Sequence, residues 1–141
     1  MQIVNFTGTI MVTAAYVLVY YLIQSYSLHL KIRLAREYKA RGERFDRYFG
    51  QDREMLAADR YQLNMLEHMP PFMVLLWLHA AVVGDATATV AGSIYVATRI
   101  AYPFVVGRRL GGGIKSRVFY VTFFGYGVIL YLLGSTLRQI L

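Results

Sequence analysis

The chain has 141 residues, 57% hydrophobic and 16% charged, with 15 Lys+Arg against 8 Asp+Glu and a net charge of +7. A soluble domain usually carries about 25% charged residues and about 45–50% apolar ones even with glycine included. One globule of this length cannot bury so much apolar surface, so its natural solvent is lipid, and the apolar content argues against a nucleic-acid binder. Cysteine is absent, which removes disulfides, thiolate nucleophiles and cysteine-based metal sites. The three histidines, His29, His68 and His79, are scattered, and no metal is expected. There is room for one domain, residues 1–141.

The first apolar segment, residues 4–30, contains no Asp, Glu, Lys or Arg. A span needs roughly 20 apolar residues. The segment lacks the basic start and short core of a signal peptide, so it reads as a retained transmembrane helix. The polar connection that follows, Lys31 to Arg60, holds nine basic and six acidic residues. Its first part, KIRLAREYKAR, consists mostly of good helix formers and is expected to prolong the first helix beyond the membrane. Gly42 and Gly50 are the expected breaks. The second span is expected from near Asp59 to about Val83, taken as 61–83. It contains Pro70 and Pro71, which membrane helices tolerate. A short turn at Gly84-Asp85 leads to a third span, 86–106. The glycine-rich loop GRRLGGGIKSR precedes the fourth, 118–137.

Of the 15 basic residues, nine lie between Lys31 and Arg60 and four between Arg108 and Arg117. The positive-inside rule then places both loops in the cytoplasm and both termini outside. The fold class is an all-α integral membrane bundle of four transmembrane helices, with membrane lipid as a partner and no nucleic acid. The absence of a targeting segment and the compact size suit a bacterial inner membrane.

Ionisable groups inside spans are costly and mark functional sites by default. They cluster where the second span begins. At 100° per residue, Asn64 lies about 40° from Arg60, and Glu67 about 20° to the other side. The three form one polar stripe, while Gln62 points nearly opposite, where a neighbouring subunit would meet it. On the third span Tyr95, Arg99, Tyr102 and Val106 fall within about 60° of one another. Arg99 needs a carboxylate or a ligand, and Glu67 is the expected ion partner. One reading is a packing pair, Glu67–Arg99, with Asn64 as interhelical glue. The other is a site for a small, multiply charged anion, favoured by the number of polar groups and the flanking basic loops.

The string Arg60-x-Gln62-x-Asn64-x-x-Glu67-x-x-Pro70, together with Arg99-x-x-Tyr102, resembles the signatures of the MAPEG superfamily, the membrane-associated proteins of eicosanoid and glutathione metabolism. The resemblance covers essentially the whole chain. It implies a homotrimer with glutathione bound at each subunit interface near the cytosolic face. Arg60, Asn64 and Glu67 would hold the carboxylates and amino group of glutathione. Gln62 would reach into the neighbour's site, and Arg99 and Tyr102 would complete it. Arg33 best matches the basic first-helix contact of relatives, with Arg36 second. His68 stands where the leukotriene-forming synthase has a tyrosine and is counted in the glutathione set, beside the reading that it only packs. Val106 stands where relatives carry a second tyrosine. For the catalytic cation near the start of the fourth helix, Arg117 is the first choice, Lys115 the second and Arg109 the third. Tyr120, one turn beyond Arg117, is a further residue of interest.

The implied chemistry is a glutathione transferase, with peroxidase activity possible for the same thiolate. A free thiol has a pKa near 8.5, and lowering it by about two units takes roughly 2.7 kcal/mol of thiolate stabilisation. A guanidinium in a partly desolvated pocket can supply that without a metal. The thiolate would attack a lipophilic electrophile or hydroperoxide arriving from the membrane. The alternative is a non-catalytic lipid- or glutathione-binding protein resembling the lipoxygenase-activating relative. A small transporter using Glu67 as its ion site ranks below both, because it leaves Arg60, Gln62 and Asn64 without a role.

Overall fold

The structure is a computed structural model that describes residues 5–111 and 116–141. Four helices follow in order: α1 (Thr7–Ala40), α2 (Arg53–Val82), α3 (Asp85–Val106) and α4 (Ser116–Ile140). Among the described residues there is no strand. All four helices are long and apolar enough to cross a membrane. The 22 residues of α3 extend about 33 Å, close to the roughly 30 Å of a hydrocarbon core. The 34 residues of α1 extend about 51 Å, so its C-terminal part stands clear of the apolar layer.

The start of α2 is set by Asp52, whose Oδ1 accepts the backbone N–H groups of Glu54 and Met55 at 3.0 Å each. This N-cap satisfies donors the helix itself leaves free. The helix therefore begins at Arg53, ahead of the apolar span. Pro70 and Pro71 lie within α2, which runs on through them.

The helices share one core. The rings of Tyr16 on α1, Phe72 on α2 and Tyr95 on α3 pack at centroid distances of 5.2 Å and 4.0 Å. The Tyr16 hydroxyl donates to the Met65 carbonyl at 2.8 Å. At one end of the bundle, His79 is fully buried and joins three helices. Its Nε2 lies 2.9 Å from Thr87 Oγ1, and its Nδ1 lies 2.9 Å from Ser135 Oγ. At the same end α1 meets α3 closely, where a Cβ on Gly8 would fall 1.9 Å from Thr89 Oγ1. The Asp85 carboxylate there accepts the N–H groups of Gly8 and Thr9, at 3.0 and 2.8 Å. A carboxylate at the start of α1 also complements the positive end of the helix dipole.

Both basic connections lie at the opposite end. Glu54 binds Arg33 of α1 and Arg109 of the α3–α4 connection, the latter through Nε at 2.9 Å and Nη2 at 2.8 Å. Leu110 donates its N–H to the Arg53 carbonyl at 2.9 Å, and its own carbonyl accepts from Arg53 Nε at 2.6 Å. The Tyr61 hydroxyl donates to the Gly107 carbonyl at 2.5 Å, where α3 ends. The first three turns of α2 thus collect the last part of α1 and the described part of the last connection.

Candidate functional site

Arg99 is the largest fully buried side chain, 1% exposed. It lies on the buried face of α3 with Tyr95, Val96 and Tyr102. Its Nη1 donates to Asn64 Oδ1 at 2.6 Å and its Nε to Thr98 Oγ1 at 3.2 Å. Its guanidinium carbon lies 4.8 Å from the centre of the Tyr95 ring, a cation–π contact. The Tyr95 hydroxyl is buried beside it with no hydrogen-bond partner among the described residues. A desolvated cation is therefore held by neutral dipoles and a π face.

The expected carboxylate partner is not there. Glu67 is exposed, and no ion pair joins it to Arg99 among the described residues. The inward face of α2 carries Tyr61, Met65, Phe72 and Leu76. Glu67 lies about 160° from Met65 around the helix, so the packing of those residues turns it outward. Asn64 sits on the flank, buried, and takes the place expected of Glu67.

The remaining site residues are spread over the bundle. Tyr102 is buried one turn beyond Arg99 on α3. Arg60 is exposed on α2 near Glu67, whereas Gln62 is half-buried on another side of that helix. His68 is half-buried and sets its ring edge-on against Tyr126 of α4, at 5.1 Å. Arg33 is engaged by Glu54 at the basic end. Arg117 is exposed in the first turn of α4. Tyr120 turns to the wall of a groove between α3 and α4. Lys115 lies outside the described residues. Among the described residues, no group of three His, Cys, Asp or Glu could hold a metal ion.

Two residues at this centre escaped the sequence reading. Thr98 supplies a second acceptor to Arg99. Gly125 lets α4 approach, since a Cβ there would fall 2.4 Å from Arg99 Nη2. Small residues in an apolar helix signal close helix contact, but α4 also carries Gly127 and Gly134, and spacing alone does not choose among them. The matched pair makes a test. Gly125→Ala should destabilise the protein by about 1–3 kcal/mol through overpacking. Gly127→Ala, with open space at its Cβ, should be neutral or stabilising in the same thermal melt in detergent.

The α3–α4 groove is the other prominent feature. It has a volume of about 850 Å³ and is walled by Val90, Ile94, Phe123, Phe124, Val128 and Tyr131, among others. That volume lies within the roughly 300–1,000 Å³ usual for small-molecule sites, and its walls suit an apolar occupant.

Four membrane-length helices, a buried arginine between α2 and α3, and two basic connections at one end define a small multi-pass membrane protein with a polar centre inside its bundle. The chain belongs to the MAPEG family, whose model, described as MAPEG family, matches residues 5–138. Members of this family use glutathione, and they include glutathione transferases as well as non-catalytic proteins. No curated protein matches the chain.

Proposed function

We propose that the protein is a membrane-bound glutathione transferase, with possible peroxidase turnover, that activates glutathione as a thiolate against lipophilic electrophiles or hydroperoxides. The observation that carries this reading is the family match over residues 5–138, in a chain that keeps Arg60, Gln62, Asn64, Glu67, Arg99 and Tyr102 at the signature positions. The exposure of Arg60 and Glu67 agrees with it, because both side chains are open to a soluble anionic ligand. Gln62 points nearly opposite Arg60 around α2, so a ligand touching both must lie between two copies. The proposed assembly is accordingly a homotrimer with glutathione at each subunit interface. Asn64 anchors Arg99 beneath the ligand, and Tyr102 packs beside it. Arg33 joins the site only after exchanging Glu54 for a carboxylate of glutathione. Arg117 is the proposed activating cation, ahead of Lys115. The basic end faces the cytoplasm of a bacterial inner membrane, in keeping with the positive-inside rule.

A second reading is a non-catalytic lipid-binding protein. The apolar α3–α4 groove and Val106 at the position of a family tyrosine favour it. One experiment separates the two: titrate glutathione into detergent-purified protein by calorimetry, then record the ultraviolet absorbance of bound thiolate. Binding with a thiolate signal is expected. Binding without thiolate points to the non-catalytic reading, and no binding removes glutathione from the function altogether.

A further inference from the structure

The connection between α1 and α2 carries three aromatic residues in five positions, Phe45, Tyr48 and Phe49, and the structure treats them differently. Phe45 points inward. It packs against the small cluster of Leu30, Leu34, Met55 and Ala58, and its ring lies 5.4 Å from Tyr38. Tyr48 and Phe49 are 84% and 86% exposed. Single exposed apolar residues are ordinary, but here two adjacent aromatics are held outward by a rigid turn. The Asp46 carboxylate accepts the N–H groups of Tyr48 at 3.0 Å and Phe49 at 2.9 Å. The hydrogen bonds from Phe49 and then Tyr48 hold the Asp46 carboxyl below its ordinary pKa. The turn is therefore formed at neutral pH and loosens only as pH falls through that lowered value.

The height of this turn can be fixed. Arg47 grips Asp59 with both arms of its guanidinium, Nη1 to Oδ2 at 2.9 Å and Nη2 to Oδ1 at 2.7 Å. Asp59 is six residues into α2, about 9 Å down its axis from Arg53. Two residues later, Tyr61 reaches the carbonyl of Gly107, where the membrane-length helix α3 stops. The connection thus folds back from the top of α2 to the level at which the apolar layer ends. Tyrosine and tryptophan concentrate at that depth in membrane proteins because their amphipathic rings prefer the headgroup boundary, and phenylalanine is used on the lipid-facing side of interfacial segments. Exposed Arg41, Arg44 and Arg60 lie on or beside the connection and would meet lipid phosphates there.

We propose that Tyr48 and Phe49 form an interfacial anchor, inserted into the headgroup boundary of the bilayer that the four helices cross. The anchor fixes the α1–α2 connection against the membrane surface beside the exposed Arg60. The inference rests on the membrane spans and the turn geometry, not on glutathione chemistry.

The test uses the single tryptophan, Trp77. Phe49→Trp is built on Trp77→Phe, so that the new indole is the only one. The full chain is reconstituted into vesicles of phosphatidylcholine and phosphatidylglycerol whose acyl chains are brominated either near the headgroup or near the chain end. The expected result is blue-shifted emission that loses about half its intensity or more to the shallow bromines and less to the deep ones, as for an indole at the interface. Emission typical of an indole in water, unquenched by either lipid, would overturn the proposal in favour of a solvated loop. Blue-shifted emission that neither lipid quenches would overturn it in favour of a second copy of the chain covering the turn. If Phe49→Trp does not fold, Tyr48→Trp on the same background gives the same readout.

Discussion

Asn64→Leu should destabilise the protein by about 3 kcal/mol or more, because it removes an acceptor from a buried cation and puts nothing polar in its place. Leucine keeps the branched outline of asparagine but is bulkier, so some overpacking adds to the electrostatic cost. Arg99 is 1% exposed and cannot turn to water. Its remaining neighbours, Thr98 and the face of Tyr95, are weaker partners for a guanidinium than an amide oxygen 2.6 Å away. The measurement is the thermal midpoint of the purified protein in detergent. Asn64→Asp is the matched control, since it keeps an acceptor in place and adds the opposite charge. It should remain close to the parent in stability. A parent-like midpoint for Asn64→Leu would mean that Arg99 is held by other contacts and that the pair does not organise the centre.

Much of the fold was legible in the sequence. Long apolar stretches, interrupted in the second and third by Glu67, the proline pair and Arg99, gave four spanning helices. Helix-forming residues from Lys31 onward gave the extension of α1, which ends at Ala40, with Gly42 just beyond at a φ of 76°. The grouping of basic residues placed both connections at one end, where Glu54 now joins them. The start of α2 was less legible, because the Asp52 cap sits among several acidic residues and nothing in their spacing singles it out.

The pairing at the centre was legible only in part. Angular arithmetic puts Arg60, Asn64 and Glu67 on one stripe, but it does not say which way the stripe faces. That is decided by the apolar residues opposite, and the Tyr16–Phe72–Tyr95 ring stack fixes the rotation of α2. A polar residue in a span is expected to face the bundle interior. Asn64 does so, whereas Glu67 does not. Likewise, Arg33 looked free for a ligand because helix periodicity along α1 reveals nothing of Glu54, 21 residues away. Contacts between distant elements follow from packing, and a single sequence carries no direct record of it.

Arg117→Ala is the variant with the largest expected effect on turnover. At neutral pH a thiol with a pKa near 8.5 is only a few per cent thiolate. A guanidinium beside the sulfur, at the start of a helix whose dipole also favours negative charge, can lower that pKa by about two units. Arg117 occupies the first turn of α4. It is exposed at the basic end, where Arg60 and Glu67 of a neighbouring copy could hold the rest of the tripeptide. Removing it should cut kcat by about 10–100-fold, abolish the thiolate absorbance at pH 7, and move the apparent pKa of the rate profile up toward 8.5. Glutathione affinity should fall far less, because the carboxylates and amino group keep their partners. Arg109→Ala gives the contrast. Its guanidinium is already committed to Glu54, so it should loosen the α3–α4 connection without shifting the rate profile. If Arg109→Ala or Lys115→Ala removes the thiolate signal and Arg117→Ala does not, the activating cation lies on the connection before α4 rather than in its first turn.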